Sequence, residues 1–359
     1  MAAAMAGPGA RASFGSHVDA RWSGSYHPGH RGFFLDGERP MAYCIDRFSR
    51  GVADQVLALL EEEREEWLRR LHWDRTIFTR NAARQIRQGK LQGWLLRVDE
   101  DPVAVILAGE RGRFRSLETP YVAFSHRRRG NLARLLEGVL DEVLSAAAVE
   151  RVEIGFFPFE EEAPDSVIGR RGFQASPRTY MVGDLEQVQS PAARAGLPDG
   201  VELAPWPVHP DPLARLLQAA YRGTPDSRSA SFYGTSGGCA AYLEALVAGE
   251  ECGRFEADLS GLAVARDDGP VGFLLGTRVS QDTAHVAQVA VLPRWRRQGI
   301  ASTLLDHYGS RGRALGLKRS TLLVTDANSL ARAWYQRRGH HACQRFLTYS
   351  WQRSGQPIR

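Results

Sequence analysis

Lysine is nearly absent from this chain: the sequence has 46 basic residues, and only Lys90 and Lys318 are not arginine. That arginine-heavy, alanine-rich balance reflects a GC-rich genome rather than a function. Cysteine is also scarce. Cys44, Cys239, Cys252 and Cys343 lie far apart with no CxxC pair, which excludes a zinc ribbon and a disulfide framework and makes a reducing cytoplasm the expected compartment. No apolar run reaches the length of a membrane span. Charge of one sign is missing too, because 41 acidic residues stand against the basic ones and leave a net charge of +5. Such an excess suits a phosphate-bearing ligand as well as nucleic acid. The arginine runs at 127–129 and 294–297 hold one interleaved aromatic residue between them, Trp295, short of the succession of aromatics in single-strand platforms, which argues against nucleic acid. What is present is 359 residues, 43% of them hydrophobic, enough for two domains with real cores.

Punctuation by glycine and proline divides the chain. Residues 1–40 have no periodicity and read as a disordered extension. Residues 41–186 alternate strand-like and helix-like patterns, the Pro- and Gly-bearing segment 187–200 reads as a linker, and 201–352 repeat the first layout before a tail at 353–359. The repeat ends in an expected strand pair within "ACQRFLTYSW". Placing "RRRGNLARLL" over "RRQGIASTLL" sets Gly130 against Gly299, and "GRRGF" over "QRRGH" sets Gly172 against Gly339. Two matched anchors at nearly equal spacing point to a duplication.

The stretch "VLPRWRRQGIASTLL" leaves a strand, stacks arginines and starts a helix on glycine. Free amides at 297–301 would then converge, and the helix dipole would favour an anion there. Glycine at 299 lets the backbone approach a pyrophosphate, and Ala301 keeps the next turn small. Further along, Asn328, Ala331, Tyr335 and Gly339 fall on one helix face. A tyrosine there reads either as a proton donor beside a ligand or as a core aromatic.

These residues resemble the GCN5-related N-acetyltransferases, the GNAT superfamily. Arg296, Gly299 and Ala301 match its Arg/Gln-x-x-Gly-x-Gly/Ala signature, and Asn328, Ala331, Tyr335 and Gly339 match a later Asn-x-x-Ala-x-x-x-Tyr-x-x-x-Gly segment. The resemblance implies an α/β (α+β) chain of two tandem domains. Each would be a mixed, mostly antiparallel sheet flanked by helices, with a splayed central strand pair. It also implies acetyl transfer from acetyl-CoA, a cosubstrate, to a primary amine, with no metal. The pantetheine arm would pair with Val289 and Val291, and the pyrophosphate would rest on Arg296, Arg297, Gln298, Gly299, Ile300 and Ala301. Arg294, Arg296 and Arg297 would reach the outer phosphates. Asn328 would touch the arm and Tyr335 would protonate the departing sulfur; a phenol with a pKa of about 10 still carries its proton at neutral pH. His285, with an ordinary pKa of about 6.5, is the candidate base, an ordinary strand histidine being the other reading. Gln288 is the alternative, ordering a water. Tyr221, Asp226 and Tyr233 are expected at the acceptor.

The first half keeps Arg127, Arg128, Arg129 and Gly130, but has Leu132 in place of Ala301 and Ile168 in place of Tyr335, so catalysis is expected in the second half alone. A CoA-binding regulatory or scaffolding protein without turnover is the competing function. A monomer or homodimer, away from membranes, completes the expectation.

Overall fold

The computed structural model describes residues 42–155, 165–187, 196–206, 211–249 and 252–353. The extension at 1–40, most of the linker and the tail beyond Arg353 lie outside the described residues. The first half runs β1 (Tyr43–Arg47), α1 (Ala53–Leu71), α2 (Thr76–Arg87), β2 (Gln92–Val98), β3 (Asp101–Arg111), β4 (Phe114–Val122), α3 (Asn131–Ser145), β5 (Arg151–Ile154), α4 (Asp165–Gly169) and β6 (Gln174–Asp184). The second runs β7 (Val201–Ala204), α5 (Asp211–Tyr221), α6 (Pro225–Ser229), α7 (Ser236–Val247), β8 (Arg254–Phe255), β9 (Gly261–Ala265), β10 (Gly269–Ser280), β11 (Thr283–Val291), α8 (Ile300–Ala314), β12 (Arg319–Thr325), α9 (Ser329–Gln336) and β13 (His341–Gln352). Among the described residues no helix is long and apolar enough to cross a membrane. All four cysteines are free thiols.

The halves repeat each other closely. α3 and α8 are both 15 residues long, and each follows a glycine in the left-handed region, Gly130 at φ 70° and Gly299 at φ 85°. Each half has one parallel pair, β4 with β5 and β11 with β12, and all other pairings are antiparallel. The central sheet is continuous, in the order β1-β2-β3-β4-β5-β13-β6-β12-β11-β10-β9-β7, with β8 attached to β10.

That order contains an exchange. β6 belongs by sequence to the first half, yet it pairs with β12 of the second from Arg319↔Asp184 to Thr325↔Arg178. β13 returns the exchange by pairing with β5 of the first half, and β6 and β13 also pair with each other. Chain order and spatial unit therefore differ by one strand in each direction. The strand pair expected in the last segment is instead this single strand, bulged between Ala342 and Gln344. No Gly, Pro, Asn or Asp in "HACQRFLTYSWQ" offers a turn.

Apolar alternation along the strands fills both faces of the sheet. α3 covers one face in the first half through Leu132, Leu135, Leu136, Val139 and Leu140, and α8 does so in the second through Ile300, Leu304, Leu305 and Tyr308. On the opposite face, α1 and α2 merge with α5 and α7 into one core that crosses the seam, bringing Trp67 and Trp73 together with Tyr180, Tyr233, Tyr242 and Phe346. Tyr180 ties the halves of that core by donating its hydroxyl to the Leu71 carbonyl at 2.9 Å. Aromatic contacts such as Trp67 on Phe346, centroids 5.7 Å apart, each contribute about 0.5–1.5 kcal/mol beyond area burial.

Candidate active site

β11 and β12 pair only from Thr283↔Arg319 to Val286↔Leu322. Beyond that point both strands continue, to Val291 and Thr325, without pairing to each other, so a gap opens between them. A bulge at the same level skips Ala287 in the register with β10. Beside the gap lies a cavity of about 90 Å³, lined by Ala287, Gln288, Val289, Leu323 and Tyr335, and by aromatic side chains from both halves.

Of the residues singled out in the sequence, Tyr221, Asp226, Tyr233, His285, Gln288, Val289 and Tyr335 all line this cavity. Tyr335 is 5% exposed, and its hydroxyl makes no hydrogen bond among the described residues. Burial, and then the charge of Asp226, raise its pKa above the ordinary tyrosine value. Tyr221 and Tyr233 stack with centroids 4.2 Å apart and 4° between planes. Gln288 holds both: its amide accepts from Tyr233 at 3.1 Å and donates to the Tyr221 oxygen at 2.5 Å. Tyr221 in turn donates to the Val289 carbonyl at 3.0 Å, so that carbonyl already has a partner.

Asn328 uses both ends of its amide. Oδ1 accepts from the Ala331 amide at 3.2 Å, capping α9, and Nδ2 donates to Asp226 at 3.1 Å. Thr325 donates its hydroxyl to the other Asp226 oxygen at 2.5 Å. Asp226 itself sits in the short helix α6, whose cap is Thr224 accepting from the Ser227 amide. The Thr-Pro-Asp turn thus aims a carboxylate at the start of the helix that carries Tyr335.

His285 is placed differently from the expectation of a base. It is 3% exposed, packs on Trp73 with centroids 4.7 Å apart, and its Nδ1 lies 2.9 Å from the Thr321 hydroxyl. That hydroxyl donates to the Ala284 carbonyl at 3.2 Å, which makes Nδ1 the protonated nitrogen. Burial pushes the imidazolium pKa down to about 3. A ring so poor at holding a proton is a weak general base at neutral pH, and its surroundings suit an uncharged, positioning residue instead.

The loop before α8 has the geometry of an anion cradle. Arg297 and Gly299 take positive φ, 62° and 85°, and the amides of Arg297, Gln298 and Gly299 find no acceptor among the described residues. Alternating right- and left-handed backbone makes a concavity of N–H groups. Ile300 is buried and anchors the helix start, Ala301 is half-buried, and Gln298 donates to the Arg294 carbonyl at 3.0 Å. The arginines divide unexpectedly. Arg296 turns back, donating Nε to the Val291 carbonyl at 3.2 Å and Nη2 to the Ala220 carbonyl, while Arg294 pairs with Asp268 at 2.7 Å. Arg296 therefore braces the strand end rather than reaching outward. Arg297 has no such contact among the described residues.

The first half repeats the loop. Arg128 and Gly130 take φ of 60° and 70°, and Arg127 donates to the Val122 carbonyl at 3.1 Å as Arg296 does to Val291. It does not repeat the phenol, for Ile168 is a buried core residue of α4.

Sequence reasoning missed the contribution of the other half. Trp67 and Trp73, from α1 and the loop after it, and Arg178 and Tyr180, from the exchanged strand β6, line the same cavity as Tyr335. Nothing local to those segments signals it, since only the strand exchange brings them there.

Residues 229–340 match the model of the acetyltransferase (GNAT) family, and the sheet with its splayed central pair is similar in fold to solved GNAT proteins. Among solved structures it is similar to a GCN5-related N-acetyltransferase from Sphaerobacter thermophilus, with a TM-score of 0.58 at 16% identity over 86% of this chain and 95% of that one. It is also similar to a tandem GNAT protein from the clavulanic acid biosynthesis pathway, with a TM-score of 0.58 at 13% identity over 88% of this chain and 100% of that one. At such identities the likeness is one of fold alone. No curated protein matches it in sequence.

Proposed function

We propose that this protein transfers an acetyl group from acetyl-CoA directly to a primary amine, at the gap between β11 and β12. The observation that carries the reading is the pairing of an amide cradle at 297–299 with a phenol, Tyr335, beside the same gap, neither of which has a hydrogen-bond partner among the described residues. The cradle fits a pyrophosphate: its donors converge, Gly299 adds no side chain, and Arg297 is available to an outer phosphate. The stretch 287–291, which β12 leaves unpaired on its side, offers backbone to the pantetheine arm, although the Val289 carbonyl already accepts from Tyr221 at 3.0 Å and from Gln288 at 3.4 Å.

In the reaction the amine nitrogen attacks the thioester carbonyl carbon. A C–N bond forms, the C–S bond breaks, nitrogen loses a proton and sulfur gains one. Tyr335 can relay that proton, giving its own to sulfur and regaining one from nitrogen. A phenol raised above its usual value is a weaker acid than a thiol of pKa about 8.5, so its proton moves in concert with the loss from nitrogen rather than ahead of it. The bulge at Ala287 supplies a backbone amide at the cavity for the carbonyl oxygen as negative charge develops. Asn328 acts through Asp226 and the α9 cap, orienting Tyr335.

The first half, with a cradle but no phenol, supports CoA binding without turnover and supplies walls to the site. Calorimetric titration of acetyl-CoA into the full chain tests the reading. At least one site, lost on disrupting the 297–299 cradle, is expected, and a second site would belong to the loop at 128–130. Absence of any binding would overturn the assignment.

A further inference from the structure

We propose that a second cavity, at the seam between the start of α2 and the β8–β10 pair, binds a small organic anion, a carboxylate or phosphate carried on an apolar body. The site is separate from the gap between β11 and β12, and the inference does not rest on the transferase reading.

The cavity measures about 310 Å³, a size that suits a single small ligand. Its second-half wall is cationic. Arg254 and Arg278 stand directly opposite each other across β8 and β10, and both line the cavity. Like charges at such a cross-strand pair repel, so the arrangement is unfavourable until an anion joins it. Arg254 has an ion pair with Glu256 at 3.1 Å. Arg278 is half-buried, and its side chain has neither an ion pair nor a hydrogen bond among the described residues, with Nε withdrawn from solvent. A guanidinium in that state lacks the acceptors that a carboxylate or phosphate supplies through two parallel hydrogen bonds. The other charged groups of the lining are already answered: Arg75 pairs with Glu63 at 2.5 Å, and Asp74 accepts from the Thr76 amide and hydroxyl.

The first half supplies the facing wall. The Asp74 amide donates to the Val279 carbonyl at 2.6 Å, which pins the start of α2 against β10. Ile77 and Phe78, in the first turn of that 12-residue helix, line the cavity, and their amides have no acceptor among the described residues. Helix-start amides of this kind favour an anion, and here they meet the arginine pair across one space. Apolar surface completes the lining. Ile77 is 57% exposed, and Phe78, Trp73 and Val279 lie beside it. A bare phosphate would leave that surface in water, whereas an apolar body attached to the anion covers it. With donors from α2 on one side and β10 on the other, the ligand bridges the two halves.

The test is calorimetric titration of the full-length protein with phenyl phosphate, benzoate, inorganic phosphate and benzamide, each repeated with CoA present to fill the phosphate cradles. Phenyl phosphate or benzoate should bind under both conditions, with inorganic phosphate and the uncharged benzamide at least roughly 10-fold weaker. Arg278→Gln should weaken the organic anion by roughly 10- to 100-fold and leave acetyl-CoA affinity unchanged. Gly299→Asp should leave the anion bound. Binding that CoA abolishes would overturn the inference by placing the anion in a cradle, and binding unchanged in Arg278→Gln would overturn it as well. Equal affinity of the wild type for benzoate and benzamide, a comparison that needs no variant to fold, would also overturn it, as would no binding of either organic anion. Inorganic phosphate held as tightly as phenyl phosphate would overturn the apolar body. Acetyl-CoA binding and thiol release test the transferase reading separately.

Discussion

Replacing Gly299 by alanine and by aspartate separates two effects that the cradle combines. At φ 85° any L-residue carries a conformational cost of about 1–2 kcal/mol, common to both variants. That is small against the roughly 5–15 kcal/mol that holds a folded domain, so both variants should fold with a lowered melting temperature. Aspartate adds a negative charge to the cradle, and two unit charges of like sign at about 5 Å repel each other. At effective dielectrics between water and a protein surface this repulsion amounts to about 1 to 3 kcal/mol, or roughly 5- to 150-fold in Kd. Calorimetric titration of acetyl-CoA into both variants reads the difference directly, with thermal unfolding as the control for folding. Gly130→Asp supplies the internal comparison, because its loop has the same backbone but no phenol beside it. An aspartate variant that binds as tightly as the alanine variant would refute the phosphate assignment of the loop.

Two further outcomes follow from the surroundings of particular residues. His285 and His340 have pKa values pushed by burial down to about 3 and about 4, so the native state stays neutral while the unfolded chain takes up protons. Stability should therefore be fully present above about pH 6.5 and fall as pH drops, by up to about 2 kcal/mol per histidine between pH 6.5 and 5; denaturant titrations of His285→Gln should show a shallower acid loss, and an unchanged slope would contradict its burial. A fragment of residues 201–352 would leave β12 without β6 and β13 without β5, so it should self-associate or fail to unfold cooperatively, and a monomeric two-state fragment would contradict the strand exchange.

Much of this was legible from residue type and spacing. Gly130 and Gly299 marked the two helix starts because only glycine enters the left-handed region cheaply, and both do. Tyr221, Asp226, Tyr233, His285 and Tyr335, each singled out by type and spacing, line one cavity beside the splayed strands. What could not be read is of two kinds. One is environment: nothing in "TAHVAQV" announces that Trp73, far back in the chain, covers His285 and strips it of basicity. Likewise, the three arginines before Gly299 look equivalent until carbonyls at Val291 and Ala220 and the carboxylate of Asp268 claim two of them. The other is topology. β6 and β13 occupy matching places in the repeat, so each is as compatible with its own half as with the other. Pattern alone cannot distinguish the swapped arrangement, and with it Arg178 and Tyr180 were invisible as site residues.

The central claim is that Tyr335 serves acetyl transfer in a chain that binds acetyl-CoA through a separate loop. Its most direct test is CoA thiol release by the wild type and by Tyr335→Phe, with acetyl-CoA affinity measured on the same preparations. The account predicts amine-dependent release by the wild type, a fall in kcat of roughly 10²- to 10⁴-fold in the variant, and an unchanged Kd. Tight binding with no release by the wild type, or equal turnover by both proteins, would contradict it.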